Sequence, residues 1–535
     1  MRYRRLLAFF ALLFLSGLAL GLWWDRLWTR AHYAVEQESP AAQKLKRLVG
    51  LIENYYVDQV DTEAIVDQTI EGILSQLDPH SQYLPAEVAE AAAEQMKGSF
   101  VGIGVNFYVY KDSIAVIKTV PGGPSAKAGL KSGDRILWAD QDTLFGKGLT
   151  SQQIVGTLKG EEGSPLTLGV YRKANDSLFE APIKRGSIPL VSVDGAYMVT
   201  PGLGYIKINR FSATTYTEFK QALSGLKKKG AQSLILDLRG NPGGFMEPAI
   251  QVVDDFLPQG AEVVSTQSKD KTIERVTAKS GGAFENKPVY VLVDEQTASA
   301  AEIIAGALQD NDLGTIIGRR TFGKGLVQQE MPLGDGSSIR LTTAYYFTPT
   351  GRSIQKPYKN GGYEELWDRY HSGELKSRDS IKVADSLKYK TPKGKVVYGG
   401  GGIIPDVFVP IADDGLLGVE QLEAYGLIDY FVFEQMDQTR GYWLGLNEQN
   451  WGQKPSIPEG WVDAFEDYLK NQGMEWNWGA PEREALELAL KASAAGQRFG
   501  ETAALKIRGG ADPMIALILA HKPTSWADFA IFAPK

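Results

Sequence analysis

The chain has 535 residues, 43% of them hydrophobic and 23% charged, with a net charge of −7, no cysteine and four histidines. At about one domain per 150 residues this length implies three to four domains, and the absence of any Lys/Arg stripe argues against nucleic-acid binding. Lack of cysteine removes thiol nucleophiles, disulfides, thiolate metal sites and a lipid-modified cysteine anchor, while His32, His80, His371 and His521 lack the H-E-x-x-H spacing of a zinc hydrolase.

Arg2, Arg4 and Arg5 precede an uncharged apolar run from Leu6 to Trp24. A run of ~20 apolar residues matches the hydrocarbon thickness of a bilayer, with Trp23 and Trp24 at the interface. Residues 1–30 are therefore expected to form a signal anchor, with the basic flank cytoplasmic and the rest of the chain exported. An inner-membrane anchor facing the periplasm is favoured over a cleaved signal ending near Ala19-Leu20-Gly21, which would release the body to the same side. Residues 41–97 follow with helical spacing in KLKRLVGLIENYY, EAIVDQTIEGILSQL and AEVAEAAAEQM. They are expected to be a helical segment without chemistry of its own, and they point to dimerisation. His80 lies in the DPHS break between two of these helices and is expected to be structural, far from the motifs of the sheet.

From Gly98 to Arg185 short strand patterns alternate with glycine turns. Gly102-Ile103-Gly104-Val105, the AGLKSGDRIL run and the SQQIVGTLKG helix together resemble a PDZ domain, assigned to residues 98–185. In such domains the amides of a glycine loop hold a peptide's terminal carboxylate while the peptide adds a strand to the sheet edge. Gly102, Ile103, Gly104 and Val105 are thus the expected carboxylate-binding residues.

Residues 187–412 alternate strands with helices, the mark of a layered α/β core. GYIKINRF, SLILDL and PVYVLV read as strands, and TTYTEFKQALSGLKKKG as a helix with a lysine-rich end. GTIIGRRTFGKGLVQQEMPL reads as further strands. Beyond residue 413, GWVDAFEDYLKNQ and PEREALELALKA carry helical stripes, so residues 413–535 are expected to be a helical extension. No chemical motif is visible there.

Three segments of the core, DLRGNPGG, TASAAE and RTFGKGLVQQ, lie beside expected strands, where ligands collect in α/β sheets. Ser299, between PVYVLV and a run of helix formers, fits the S-x-x-E capping box with Glu302. Taken alone it is a helix cap. With the PDZ-like segment, LDPHSQYL, YYFTPTGRSIQ and GGGGIIPD, these motifs closely resemble the carboxyl-terminal processing proteases over residues 45 to 410. The resemblance implies a crotonase/ClpP-like layered protease core and a serine endopeptidase that uses a Ser–Lys pair. It carries the nucleophile to Ser299, the general base to Lys324 and the residue orienting that lysine to Gln328. The family more often reads TASASE, so Ala301 departs from it by one hydroxyl.

The residues make chemical sense on their own. A serine hydroxyl needs a neighbouring base, no histidine lies within these motifs, and Ser–Lys pairs are a known variant of the triad. A free lysine titrates near ~10.4, so it must be desolvated, here by neighbours such as Phe322 and Leu326, to act near neutral pH. Lys324 and Gln328 are four apart, an even interval that puts both on one face of a strand. An oxyanion hole is expected from the amide of Ala300 and that of Gly243 or Gly244. Three S-x-x-K matches, starting at Ser224, Ser268 and Ser353, are unsuitable for a penicillin-binding type of site.

No cofactor, metal or nucleotide is implied. Expected partners are protein substrates held by their C-termini and the membrane through the N-terminal segment; for the C-terminal extension, packing on the core, oligomer contacts and adaptor binding all fit. The rival functions are a catalytically silent PDZ scaffold that recruits envelope proteins and, less favoured, a crotonase-like acyl-transfer enzyme.

Overall fold

Nearly continuous apolar runs such as VYVLV and SLILD can be satisfied only by strands covered on both faces, and they form the centre of the fold. In the computed structural model, which describes residues 39–521 apart from 280, 359–363, 412–413, 454–455, 475 and 477, they lie in a six-stranded sheet. Its order is Val193–Thr200, Leu203–Ile208, Ser233–Asp237, Val289–Val293, Thr315–Gly318 and Val407–Phe408. The first pair is antiparallel and every later pair parallel. Helices Thr215–Lys228, Met246–Asp254 and Ala300–Asp310 cover one face, burying Phe219, Leu223, Val253 and Ile304 against Leu234, Leu236 and Val291.

The C-terminal extension covers the other face. Leu505, Met514, Ile515 and Ile518, from helices Glu501–Ala511 and Pro513–His521, pack on Tyr205, Tyr290, Leu292 and Ile317. Each buried side chain of this size contributes about 1.5–3 kcal/mol relative to exposure, so these two helices belong to the core rather than hanging from it. Asp512 caps the last of them and pairs with Arg239 at 2.7 Å. The preceding helices, from Asp414 to Phe499, close around Phe431, Trp443, Trp461 and Phe465.

A second, antiparallel sheet places Leu326–Pro332 against Ser338–Phe347, which also pairs with Gln82–Leu84 and Glu262–Ser268. The helix Ala86–Lys97 follows the first of these strands, and its Met96 carbonyl accepts the amide of Ala213 in the core. Residues 99–189 form a β module joined to the core through two paired strands, Ser99–Gly102 and Gly186–Pro189. Its sheet runs Val105–Tyr110, Ser113–Thr119, Asp134–Ala139, Pro165–Arg172 and Ser177–Lys184. The first of these strands is an edge, and the helix Ser151–Leu158 buries Ile154 and Leu158 in the module's own core.

The extension also grips this module. Tyr108 and Tyr110 pack on Tyr430 and Phe433, and Arg135 pairs with the buried carboxylate of Asp437 at 2.6 Å. Arg440 holds the same carboxylate at 2.7 Å and reaches Ser132 at 3.2 Å. Burial alone would raise the pKa of Asp437, but the two guanidinium groups outweigh it and hold it below the ordinary carboxylate value. Asp437→Ala strands a buried Arg135 and is expected to cost about 3 kcal/mol, the scale of breaking a buried pair from one side. An unchanged denaturant midpoint for this variant would show that the pair does not hold the module to the extension.

The N-terminal unit, described from residue 39 to 76, contains helices Pro40–Tyr55 and Thr62–Leu74. The first buries none of its residues and exposes Leu45, Leu48, Leu51 and Tyr55. The apolar segment expected to span a membrane lies outside the described residues, and no helix among them is long and apolar enough to cross one.

Candidate active site

The strand Val289–Val293 ends at Asp294, whose carboxylate accepts the amides of Gln296, Thr297 and Gly240. One side chain thus binds the turn before Ser299 to the turn after the neighbouring strand Ser233–Asp237. Thr297 tightens the joint, giving its hydroxyl to the Leu238 carbonyl at 2.9 Å and its own carbonyl to the amide of Phe322. Ser299 itself has φ 54° and ψ −116°, outside the ordinary regions for a residue with a Cβ. Such a conformation costs about 1–3 kcal/mol and persists only where its surroundings enforce it. Here the enforcement is visible: the Ser299 amide donates to Glu302 at 2.8 Å, and the Ser299 carbonyl accepts from the hydroxyl of buried Tyr346 at 3.2 Å.

Glu302 does more than cap the helix. Fully buried, it accepts Thr321 Oγ1 at 2.5 Å and the amides of Gly323 and Lys324 at 2.7 and 2.8 Å. With the Ser299 amide it takes four donors from two distant segments. Burial pushes its pKa above the ordinary carboxylate value against the pull of those hydrogen bonds. Sequence reading identifies Glu302 as a cap but carries no signal for its hold on the lysine loop.

Lys324 and Ser299 line one cavity of ≈ 770 Å³, together with Gly243, Gly244, Ala300 and Gln328. Desolvation lowers the lysine's pKa to about 8, helped by Arg340 and opposed by Glu302 and Asp78. Lys324 Nζ donates to Gln328 Oε1 at 2.7 Å. The expected contact is made, but not by strand alternation: Lys324 sits in the loop before the strand, which begins at Leu326. Ala93, Gln95, Met96 and Lys97 of the Ala86–Lys97 helix supply another wall of the cavity, and no motif in the sequence marks them.

The GNPGG turn fits against Ser299 because it lacks side chains. A Cβ on Gly243 would lie 2.8 Å from Ser299 Cβ, and one on Gly244 would meet the Phe211 carbonyl at 2.1 Å, both at positive φ. The two glycines differ in what they offer. The Gly243 amide donates to Asn241 Oδ1 at 2.8 Å, so it is already engaged, whereas the amides of Gly244 and Ala300 donate to no group among the described residues. Buried Asn241 is the residue that sequence reading missed, since only the folded turn directs its carboxamide to Gly243 and to the Ile208 carbonyl.

His80 corrects a further expectation. It is buried beside these motifs rather than far from them, and its carbonyl accepts Gln328 Nε2 at 2.5 Å. Burial, then the neighbouring Lys324, lowers the pKa of its ring to about 4.

Against this geometry the comparisons with known proteins are specific. Peptidase family S41 matches residues 202–361, the PDZ domain residues 101–183, and the activating protease CtpB N-terminal domain residues 26–88. The carboxy-terminal-processing protease of Bartonella bacilliformis is 38% identical over 309 residues, covering 57% of this chain and 70% of that one. The carboxy-terminal processing proteases CtpB and CtpA of Bacillus subtilis are 32% and 34% identical, over 65% and 64% of this chain and 73% and 75% of theirs. The chain belongs to the carboxy-terminal processing proteases.

It is a serine-type peptidase of family S41 that carries a PDZ domain, a module that binds peptides. In this protease the loop Gly102–Val105 lies between the strand Ser99–Gly102 and the edge strand Val105–Tyr110. Gly104 has φ 75°, and its carbonyl accepts Val120, while the Ile103 carbonyl accepts Ser125. The amides of Ile103 and Gly104 donate to no group among the described residues. These four residues are not part of the wall of the Ser299 cavity.

Proposed function

We propose that Ser299 is the nucleophile of this protease, Lys324 its general base and Gln328 the residue that orients the amine. The observation that carries the reading is Glu302, whose single buried carboxylate holds the backbone of both Ser299 and Lys324. The Ser299 hydroxyl gives its proton to neutral Lys324 as Oγ attacks the scissile carbonyl. Negative charge then develops on the carbonyl oxygen, within reach of the unengaged amides of Ala300 and Gly244. The resulting ammonium returns the proton to the leaving amine, and a water molecule repeats the sequence on the acyl-enzyme. A scaffold has no use for a lysine brought to about 8 beside a strained serine.

The substrates proposed are C-terminal or unfolded segments of exported proteins. Gly102, Ile103, Gly104 and Val105 take the terminal carboxylate, and the peptide pairs along the open edge of Val105–Tyr110. A disordered protein ending in apolar residues should be cut roughly tenfold more efficiently with a free than with an amidated C-terminus, the scale of one charge-assisted hydrogen-bond set. Equal rates would remove capture by the terminus from this account.

Leu6–Trp24 anchors the protease in the membrane with its body extracytoplasmic, which membrane fractionation with and without residues 1–30 tests directly. The exposed apolar stripe Leu45, Leu48 and Leu51 serves self-association. Retention of the wild-type sedimentation coefficient by Leu48→Glu would exclude that use of it.

A further inference from the structure

Gln328 has two nearly equal ends. One oxygen accepts and one NH₂ donates, and only the first is useful to a lysine that must keep its lone pair for a proton. Reversed, the carboxamide would present N–H to the amine and compete for that lone pair. The direction is set by what the NH₂ finds on its far side, and here it finds the His80 carbonyl at 2.5 Å, which can only accept.

A backbone carbonyl is only as fixed as its turn. Asp78 accepts the amides of His80 and Ser81 at 2.9 and 3.0 Å on one oxygen and the Ser81 hydroxyl at 2.6 Å on the other. The same carboxylate accepts Thr342 Oγ1 at 3.2 Å, and Ser81 Oγ accepts the Thr342 amide at 3.2 Å. Thr342 is the residue directly opposite Gln328 in the strand pair, at the point where its register shifts. The turn is thereby tied to the strand that faces Gln328. Asp78, His80 and Ser81 are all buried, although a solvated loop between two helices would need none of this.

We propose that Asp78 is a positioning residue: it holds the Asp78–Ser81 turn so that the His80 carbonyl fixes the Gln328 carboxamide with its oxygen toward Lys324. The inference rests on Lys324 being the base. Asp78 makes no contact with the amine through a hydrogen bond of its own and acts through Gln328. The charged and titratable groups facing Lys324 are Arg340, Glu302, Asp78 and the neutral His80 ring, so removing the Asp78 charge also removes a force that favours the ammonium.

The experiment compares Asp78→Ala, Asp78→Asn, Gln328→Ala and the Asp78→Ala/Gln328→Ala pair by kcat, KM and pH profile on one peptide, with thermal unfolding of each. Asp78→Ala should lower kcat roughly 30- to 100-fold with little change in KM, the scale of a small misplacement of a catalytic group. Asp78→Asn, which keeps an acceptor for both amides, should recover most of that loss while its acid limb moves to lower pH. The pair should be no slower than Gln328→Ala alone, because both changes remove one interaction. Should Asp78→Ala fold poorly, Ser81→Ala, which removes only the hydroxyl link, carries the same expectations at smaller size. A folded Asp78→Ala with the kcat of the wild type overturns the inference, as does a pair slower than Gln328→Ala by the full Asp78→Ala factor. Ser299→Ala run beside them separates the two levels: its silence leaves those outcomes to judge Asp78, and wild-type cleavage by it overturns the Ser–Lys reading and this inference together.

Discussion

Alanine at Ser299 or at Lys324 is expected to lower kcat roughly 10⁴- to 10⁶-fold, with the double variant no slower than either single one. On the proposed Ser–Lys reading the two side chains act as a unit, so removing either removes the activated alkoxide that both produce. No neighbour can replace the lysine. The His80 ring interacts with Lys324, but burial lowers its pKa to about 4, which makes it a weak acceptor for a serine proton. Arginine at 324 keeps the charge but cannot lose it, so it should be as inactive as alanine. The wild type supplies an independent check through pH. As the proposed base the amine works when neutral, and its pKa of about 8 lies below that of a free lysine because burial disfavours the ammonium. kcat/KM should therefore fall about tenfold for each pH unit below 8 and level off above it. Lys324→Ala within tenfold of wild type, or a profile flat from pH 6 to 9, would mean that another group takes the proton.

Much of this site is legible in the sequence because its parts are local. A strand must end and a helix begin around Ser299, since PVYVLV is all apolar and AAEIIAGALQD is built of helix formers, and both elements lie where expected. GNPGG must be a turn that admits close approach, and Gly243 and Gly244 do press on Ser299 and Phe211. The layered α/β core and the helical extension follow from the same local periodicities, whereas the PDZ module follows from the resemblance carried by Gly102–Val105, AGLKSGDRIL and SQQIVGTLKG. What could not be read depends on contacts between distant residues. His80 and Gln328 are 248 positions apart, so no pattern around DPHS shows that its carbonyl serves the lysine's partner. The engaged amide of Gly243 follows from where Asn241 turns its carboxamide, and that is set by the Ile208 carbonyl, 33 positions away. Lys324 lies off the strand because Glu302, reached only through the fold, holds the amides of Gly323 and Lys324 in a loop. The extension carries no motif because its work is burial: Leu505, Met514 and Ile515 are ordinary core residues, and only the sheet they cover gives them meaning.

Glu302→Ala is expected to lower kcat roughly 10²- to 10³-fold and to destabilise the fold by about 3–5 kcal/mol, because it strands four donors that a single buried carboxylate satisfied. Glu302→Gln distinguishes hydrogen bonding from mere filling of space. Its oxygen can keep two of the four donors, such as Thr321 Oγ1 and the Gly323 amide. Its NH₂ then faces the amides of Ser299 and Lys324, donor against donor, at distances now near 2.8 Å. Those two must separate, and with them Ser299 and Lys324. The glutamine variant should therefore fold better than the alanine variant while losing a comparable share of kcat. The pH profile separates this from a change in the lysine alone. Glu302 favours the Lys324 ammonium, so removing its charge lowers the lysine's pKa and moves the acid limb to lower pH. At low pH that shift would help activity, whereas misplacement lowers the plateau at every pH. A lowered plateau with an acid limb displaced to lower pH is the signature of a carboxylate that both positions and tunes the pair. An unchanged plateau in Glu302→Gln would show that the serine and lysine hold their places without it.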